Sequence, residues 1–238
     1  MLEKINTGDV LFLDIETVPQ QPAFNDLPEN LQNLWDKKSN YFREKEQSAA
    51  DAYPRAAIYA EFGKIICISA GFVYTRQEIK TFRVKSFYSH DEKQLLENFY
   101  HLLLSFFRKN KNAQLCAHNG KEFDFPYIAR RMLVNGIKLP KVLDVAGQKP
   151  WEVPFLDTLE LWRFGDYKNY TSLLLLATIM DIPTPKDDMD GSQVADVYYR
   201  EKDMKRIARY CEKDALTVAQ LFCRYKGEPL IEDVEQAE

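Results

Sequence analysis

An apolar, β-prone run near the start of the chain, Val10-Leu11-Phe12-Leu13, delivers two carboxylates spaced two apart, Asp14 and Glu16. Side chains at i and i+2 of a strand point to the same face, so a strand over residues 9–17 sets Asp14 beside Glu16. Anions held that close repel unless a cation lies between them. The pattern therefore predicts a sheet whose strand carries a divalent-metal site at its end. Alone the pair proves little, because the chain has 36 acidic residues and paired surface carboxylates are often merely solvated. A second triplet, Asp233-Val234-Glu235, lies in a polar terminal segment with no strand before it and reads as solvated. Hydrophobic residues that fix it on a strand set the first pair apart.

A chain of 238 residues suffices for one well-buried domain, and a composition 45% hydrophobic and 29% charged is that of a globular protein. No apolar run approaches the ~20 residues that span a bilayer, and the Met1-Leu2-Glu3-Lys4 start lacks the apolar region of a signal peptide. The expectation is a soluble, cytoplasmic protein with no membrane partner. Cys67, Cys116, Cys211 and Cys223 form no C-x-x-C pair and sit in apolar or helical patterns. That is the pattern of buried free thiols in a reducing compartment. A net charge of −4 argues against a protein that coats nucleic acid nonspecifically, since phosphate affinity comes largely from Lys and Arg. It leaves open an enzyme that meets phosphate through metal ions.

Residues 64–74 and 78–88 read as two further strands joined by a Thr75-Arg76-Gln77 turn. Ser89 and Glu92 fit a capping box opening a helix to about Lys109. Residues 114–117 read as a short buried strand, 125–134 as a helix stopped by Asn135-Gly136, and 155–158 as a fifth strand. Helices follow over about 170–180, 193–200 and 202–225, the last closed by Gly227. Three strands in meander order, then alternating helices and strands, predict an α/β domain with a mixed sheet. Its antiparallel three-strand meander is continued by parallel strands and flanked by helices, the element order of the ribonuclease H-like fold. Residues 20–60, polar with scattered aromatics and a helical stretch near 27–47, interrupt the pattern. They read as a helical insertion, either a flap or a cover over the sheet.

Two more clusters carry potential chemistry. In Ala117-His118-Asn119-Gly120-Lys121-Glu122-Phe123-Asp124-Phe125-Pro126 a strand ends, a glycine turn follows, and Asp124 meets the start of a helix. Local chemistry alone makes Asp124 an N-cap, Phe123 a core residue and His118 a structural strand-end histidine. In the final helix, apolar residues from Met204 to Phe222 recur at three- and four-residue spacing and define a core face. Tyr210 and Asp214 are an i, i+4 pair at the edge of that stripe, able to overhang a cleft. Tyr199 and Asp203 share that spacing, but Asp203 reads as an exposed first-turn carboxylate that favours the helix N-terminus.

Asp14-Ile15-Glu16, Asn119-x-x-x-Phe123-Asp124 and Tyr210-Cys211-x-x-Asp214, in this order, resemble the three motifs of the DEDD 3′–5′ exonuclease superfamily in its tyrosine variant. The likeness is greatest to the proofreading domain of family B DNA polymerases and to stand-alone predicted exonucleases related to it. It spans residues 9 to about 226 and implies one exonuclease domain over 1–238, with the insertion at about 20–60.

The resemblance implies that Asp14, Glu16, Asp124 and Asp214 hold two divalent cations, Mg²⁺ or Mn²⁺, and that with Tyr210 they form the catalytic set. Hydrolysis of the last phosphodiester would release nucleoside 5′-monophosphates from single-stranded DNA or 3′ overhangs. A phenol with a pKa near ~10 is a poor base at neutral pH, so Tyr210 is expected to hold the attacking water. Asn119, Phe123 and Thr17 would contact the nucleotide. Asp157, in Phe155-Leu156-Asp157-Thr158, echoes a supporting Asp found after a strand in related exonucleases. Arg130, Arg131, Lys138 and Lys141 either guide a strand or form a solvated face. The motifs do not see the 2′-hydroxyl, so an RNA-trimming enzyme on the same scaffold stays open. So does a non-catalytic nucleic-acid-binding module, although pure binding has no need of clustered anions near phosphate.

Overall fold

The structure is a computed structural model that describes residues 2–166, 168, 170–183 and 189–237. Its strands are β1 (Val10–Pro19), β2 (Gly63–Arg76), β3 (Ile79–Tyr88), β4 (Gln114–Ala117), β5 (Leu156–Asp157) and β6 (Asp233–Gln236). The α-helices are α1 (Glu29–Ser39), α2 (Glu92–Lys109), α3 (Asp124–Val134), α4 (Thr158–Arg163), α5 (Leu173–Ile179), α6 (Val194–Asp196) and α7 (Met204–Tyr225). They assemble on a six-stranded sheet of order β5-β4-β1-β2-β3-β6. β1, β2 and β3 form the antiparallel meander, and β4, β5 and β6 each run parallel to their neighbour. This is the mixed α/β sheet of the ribonuclease H-like fold. No helix among the described residues is long and apolar enough to cross a membrane.

Alternation along β1 divides the core. Leu11, Leu13 and Ile15 pack with α2 and α3 residues such as Leu96, Phe99, Ile128 and Met132. Val10 and Phe12 face the other way, against Ala215, Val218, Ala219 and Phe222 of α7. Val18, further along the same face, joins Ile207, Ala208 and Cys211. β2 carries a bulge where it passes Glu16: Glu16 pairs with Cys67 and Thr17 with Ile65, leaving Ile66 as the extra residue. Ile66 and Cys67 therefore both face α7, while Ile65 and Ile68 face α2 and α3.

Several local expectations are corrected. The β2–β3 turn is Gln77-Glu78, both at positive φ (50° and 68°), the left-handed pair that matches strand twist in a two-residue hairpin. The N-cap of α2 is Asp91, whose carboxylate accepts from the Gln94 N–H. Ser89 instead accepts from the Asp91 N–H at 3.0 Å, and Glu92 is drawn inward to Arg131, so no Ser89–Glu92 capping box forms. Asp203 lies one step before α7 as its N-cap, accepting from Arg206 N–H at 2.9 Å. The helix expected over 193–200 gives way to a π turn at Val197–Glu201. The tail triplet is not a solvated coil: Asp233–Gln236 adds a parallel edge strand to β3. There Glu235 accepts from the Tyr74 hydroxyl and lies 3.7 Å from Arg83.

In the 20–60 segment, α1 is shorter than the expected helix, and a 3₁₀ stretch at Tyr53–Ile58 follows it. Trp35 is fully buried among Leu27, Ala49, Tyr53 and Phe62, its indole N–H donating to the Ala49 carbonyl at 2.9 Å. The segment thus has a small core of its own, beside β1.

Candidate active site

On the α7-facing side of β1, Asp14 and Glu16 interrupt an otherwise apolar row between Phe12 and Val18. On the facing helix α7, Cys211 packs in one cluster with Val18 and Ala215 in another with Phe12, and Asp214 lies between the two in sequence, with Tyr210 one turn before it. Glu16 is 8% exposed. Burial raises its carboxyl well above the usual range, helped by the charges of Asp214 and Asp124. Asp14 is raised likewise, by burial and then by Glu16, Asp214 and Asp124. The expected metal set of Asp14, Glu16, Asp124 and Asp214 is thus brought within mutual electrostatic reach. Carboxylate oxygens of Asp14 and Glu16 and the thiol sulfur of Cys211 lie within 4.8 Å of one another.

Asp124 is the first residue of α3 and 3% exposed. The N-cap is Phe123, with no side-chain capping bond, so the local reading of Asp124 as a cap is corrected. Its carboxyl points to the sheet. Burial, with Asp157 and Asp214, pushes it up to about 8 against backbone hydrogen bonds from its own N–H and that of Ile15. A carboxylate beside other carboxylates and without a cation is costly, and divalent ions with oxygen ligands relieve such a cost. The donor set fits Mg²⁺ or Mn²⁺.

The loop carrying Asn119 and Asp124 is held by Asp157, itself buried. Its carboxylate accepts from the backbone N–H of Asn119 (2.9 Å) and Lys121 (3.0 Å) while capping α4 through the Leu159 N–H. Asn119 sits at φ 59°, a conformation that Asn tolerates. A Cβ on Gly120 would lie 2.4 Å from the Ala117 Cβ, so only glycine lets the turn close on the end of β4. His118 is structural, as its sequence context suggests: Nδ1 meets the Thr158 hydroxyl and Nε2 the Thr171 carbonyl, each at 2.9 Å. Burial lowers its pKa.

Phe123 and Thr17 meet around Tyr127. The Phe123 ring lies 5.4 Å from that of Tyr127, and the Thr17 hydroxyl hydrogen-bonds the Tyr127 oxygen. Tyr127 in turn donates to the Ala57 carbonyl at 2.8 Å, joining α3 to the end of the 20–60 segment. Tyr210 is half-buried and hydrogen-bonded to Asp214. Burial first, then Asp214, Glu16 and Asp14, push its phenol far above the ordinary value.

A search of curated proteins finds no match. Comparison with protein families matches residues 58–228 to a predicted 3′–5′ exonuclease related to the exonuclease domain of PolB. The chain belongs to this family. The matched segment of the exonuclease includes Asn119, Asp124, Tyr210 and Asp214 and begins after Asp14 and Glu16. Pairing of β1 between β2 and β4 sets those two carboxylates against the matched part.

Sequence reasoning missed two neighbours of the carboxylates. Tyr170, expected as the start of a helix, precedes α5 instead and remains 64% exposed. Its ring stands edge-on to His118 at 6.3 Å, and partial desolvation of its hydroxyl, followed by the charges of Asp124, Asp157, Asp14 and Asp214, raises its phenol. Nothing local to Tyr170 signals this, since the contacts come from elements distant in sequence. Cys211 is the other, visible in the sequence only as a core position. Of the basic residues, Arg131 is buried against Glu92, whereas Arg130, Lys138 and Lys141 are exposed.

Proposed function

We propose that this exonuclease is metal-dependent and removes nucleotides one at a time from the 3′ end of single-stranded DNA or 3′ overhangs, releasing nucleoside 5′-monophosphates. Residues 1–238 are read as one domain, with 20–60 as an insertion in it. The observation that carries the reading is Glu16. It is a buried residue whose carboxyl accepts no hydrogen bond from the described residues, and it feels the charges of Asp214 and Asp124. A protein stores such repulsion where a ligand is to relieve it.

Asp14, Glu16, Asp124 and Asp214 would hold two Mg²⁺ or Mn²⁺ ions. Bound there, such ions stabilise the attacking and leaving oxygens of an in-line displacement at phosphorus. The chain's own groups do the rest. Tyr210, kept protonated with its O–H donating to Asp214, holds the attacking water through its oxygen, which accepts a hydrogen bond, and so orients the water rather than deprotonating it. Phe123 offers a ring face to the terminal base, and Asn119 and Thr17 offer polar contacts to sugar or phosphate. The 3′ oxygen of the penultimate nucleotide leaves. A duplex end would first have to fray, at a cost of a few kcal/mol, and a net charge of −4 gives little phosphate attraction to offset it. Single strands are therefore the favoured form.

Digestion of 5′-labelled single strands, blunt duplexes and closed circles, with products resolved by size, tests the reading. Expected are a ladder shortening from the 3′ end, slower loss of blunt duplex, inhibition by a 3′ block and no activity with chelator. Cleavage of the closed circle, or full activity without metal, would overturn it. A matched RNA strand degraded faster than DNA would reassign the substrate to RNA.

A further inference from the structure

A cavity of about 600 Å³ opens where the 20–60 segment meets the π turn at Val197–Glu201, a volume that suits one small organic ligand. β1 and the segment contribute Pro19, Phe24 and Tyr53 to its lining, and the π turn and the residue before it contribute Tyr199, Arg200 and Asp196. Pro19 ends β1, three residues past Glu16, which is about 10 Å along an extended strand. Between them Val18, in the same row as Glu16, packs with Val197 and Tyr199. The cavity is thus a continuation of the carboxylate site along β1.

Its walls are held in place. The Tyr199 hydroxyl donates to the Pro19 carbonyl, and the Tyr53 oxygen accepts the Gln21 N–H at 3.2 Å. Tyr198 accepts from the Lys64 ammonium at 3.2 Å and meets His90 Nδ1 at 3.1 Å. These bonds fix the π turn, a form frequent at functional sites. Phe24 and Tyr199 are half-buried and keep ring surface for a ligand. The Arg200 side chain is 80% exposed, and its pair with Asp196, at 3.4 Å, is open to solvent. Such a pair contributes little, so the guanidinium can exchange it for a phosphate.

We propose that this cavity binds a base of the substrate strand upstream of the bond being cut, stacked on Phe24 and Tyr199, with Arg200 on the adjoining phosphate. At ~3.4 Å per stacked nucleotide the base lies within about three nucleotides of the end. The inference rests on the exonuclease reading and adds to it a grip on the strand behind its 3′ terminus.

Steady-state hydrolysis of DNA single strands, from dinucleotides to octanucleotides, tests it in the wild-type chain, Arg200→Ala and Phe24→Leu. The wild-type KM should fall as the strand grows long enough to reach the cavity and then level off. Phe24→Leu should raise KM on octanucleotides about 5-fold or more, the lower edge of what a stacked base contributes. Arg200→Ala should raise it too and make its log–log dependence on salt shallower by about 0.7, the share of one phosphate contact on a single strand. Neither variant should alter KM on dinucleotides, and Phe24→Tyr should keep the wild-type value throughout, a pattern that general damage to the fold would not give. A wild-type KM indifferent to length, or an Arg200→Ala chain with unchanged octanucleotide KM and salt slope, overturns the subsite and leaves the exonuclease reading standing. A wild-type chain that degrades no linear strand overturns that reading and the subsite with it. Should Phe24→Leu not fold, Arg200→Ala, at an exposed position, decides.

Discussion

Asp157 holds Asn119 in a left-handed turn: its Oδ1 accepts the Asn119 N–H at 2.9 Å while its Oδ2 accepts the Lys121 N–H at 3.0 Å. The turn leads directly into Asp124 at the start of α3, so the placement of Asp124 depends on a residue from the other side of β4. Asp157→Ala should cost about 1–3 kcal/mol, the usual penalty when buried donors lose their acceptor. Urea denaturation would read this. Hydrolysis should fall further than the stability loss accounts for, through a lower kcat; a variant with wild-type kcat would free Asp124 of this dependence.

The raised carboxyl of Asp124 makes stability depend on pH. Its folded value is about 8 against an ordinary 3.8, so between those values the folded chain binds the proton that the unfolded chain has released. Stability of the metal-free protein therefore falls as pH rises across that window. Asp14 and Glu16, raised in the same direction, add to the slope. Melting temperatures taken in chelator from about pH 5 to pH 8 should decline, and saturating Mn²⁺ should flatten or reverse the trend. A metal-free protein that grows more stable with pH would mean that the carboxylates are already neutralised by the chain.

The relation of β1 to the site was legible because local pattern and tertiary role agree: the apolar residues before Asp14 fix both strand and facing. The i, i+4 spacing of Tyr210 and Asp214 at the edge of the α7 stripe was legible for the same reason. Asp124 was not, since an aspartate beside a first-turn proline has the same local chemistry whether it caps the helix or turns inward to the sheet. β6 escaped because its polar residues form a strand through backbone pairing to β3, which leaves no hydrophobic period. The bulge at Ile66 and the approach of Tyr170 are long-range consequences of packing, and no spacing encodes them.

Tyr210→Phe deletes a hydroxyl and keeps the ring. With the phenol held protonated and hydrogen-bonded to Asp214, the loss is one of water orientation, for which about 10²-fold in kcat is expected, the low end of the usual range. Mn²⁺ affinity and KM should change little. An effect on KM alone would make Tyr210 a packing or stacking residue.

Glu92 and Arg131 form a buried pair in which the remaining valences are filled. The glutamate also accepts from the Ile65 N–H (2.7 Å) and Asn135 (3.0 Å), and the arginine also donates to the Ala60 carbonyl (2.8 Å). Together they tie α2, α3 and β2 to the end of the 20–60 segment. Arg131→Met should destabilise the fold by about 3–5 kcal/mol, because it strands a buried carboxylate. Changing both to Met should recover part of that loss, the rest being the deserted backbone groups. Equal losses in the single and double variants would show that the charge pair itself contributes nothing.

Asp14→Asn separates stability from activity. In the metal-free chain the side chain is one of several anions that raise one another's pKa, so removing its charge relieves repulsion. Around pH 8 in chelator the variant should melt higher than wild type; for a chain of this size about 1 kcal/mol corresponds to about 2–4 °C. Adding Mn²⁺ should reverse the order, since ligand binding to the folded state stabilises the wild type by mass action and the variant has lost a ligand. Hydrolysis should fall severely. A variant that is both less stable without metal and fully active with it would remove Asp14 from the site and leave the buried Glu16 to be explained by another partner.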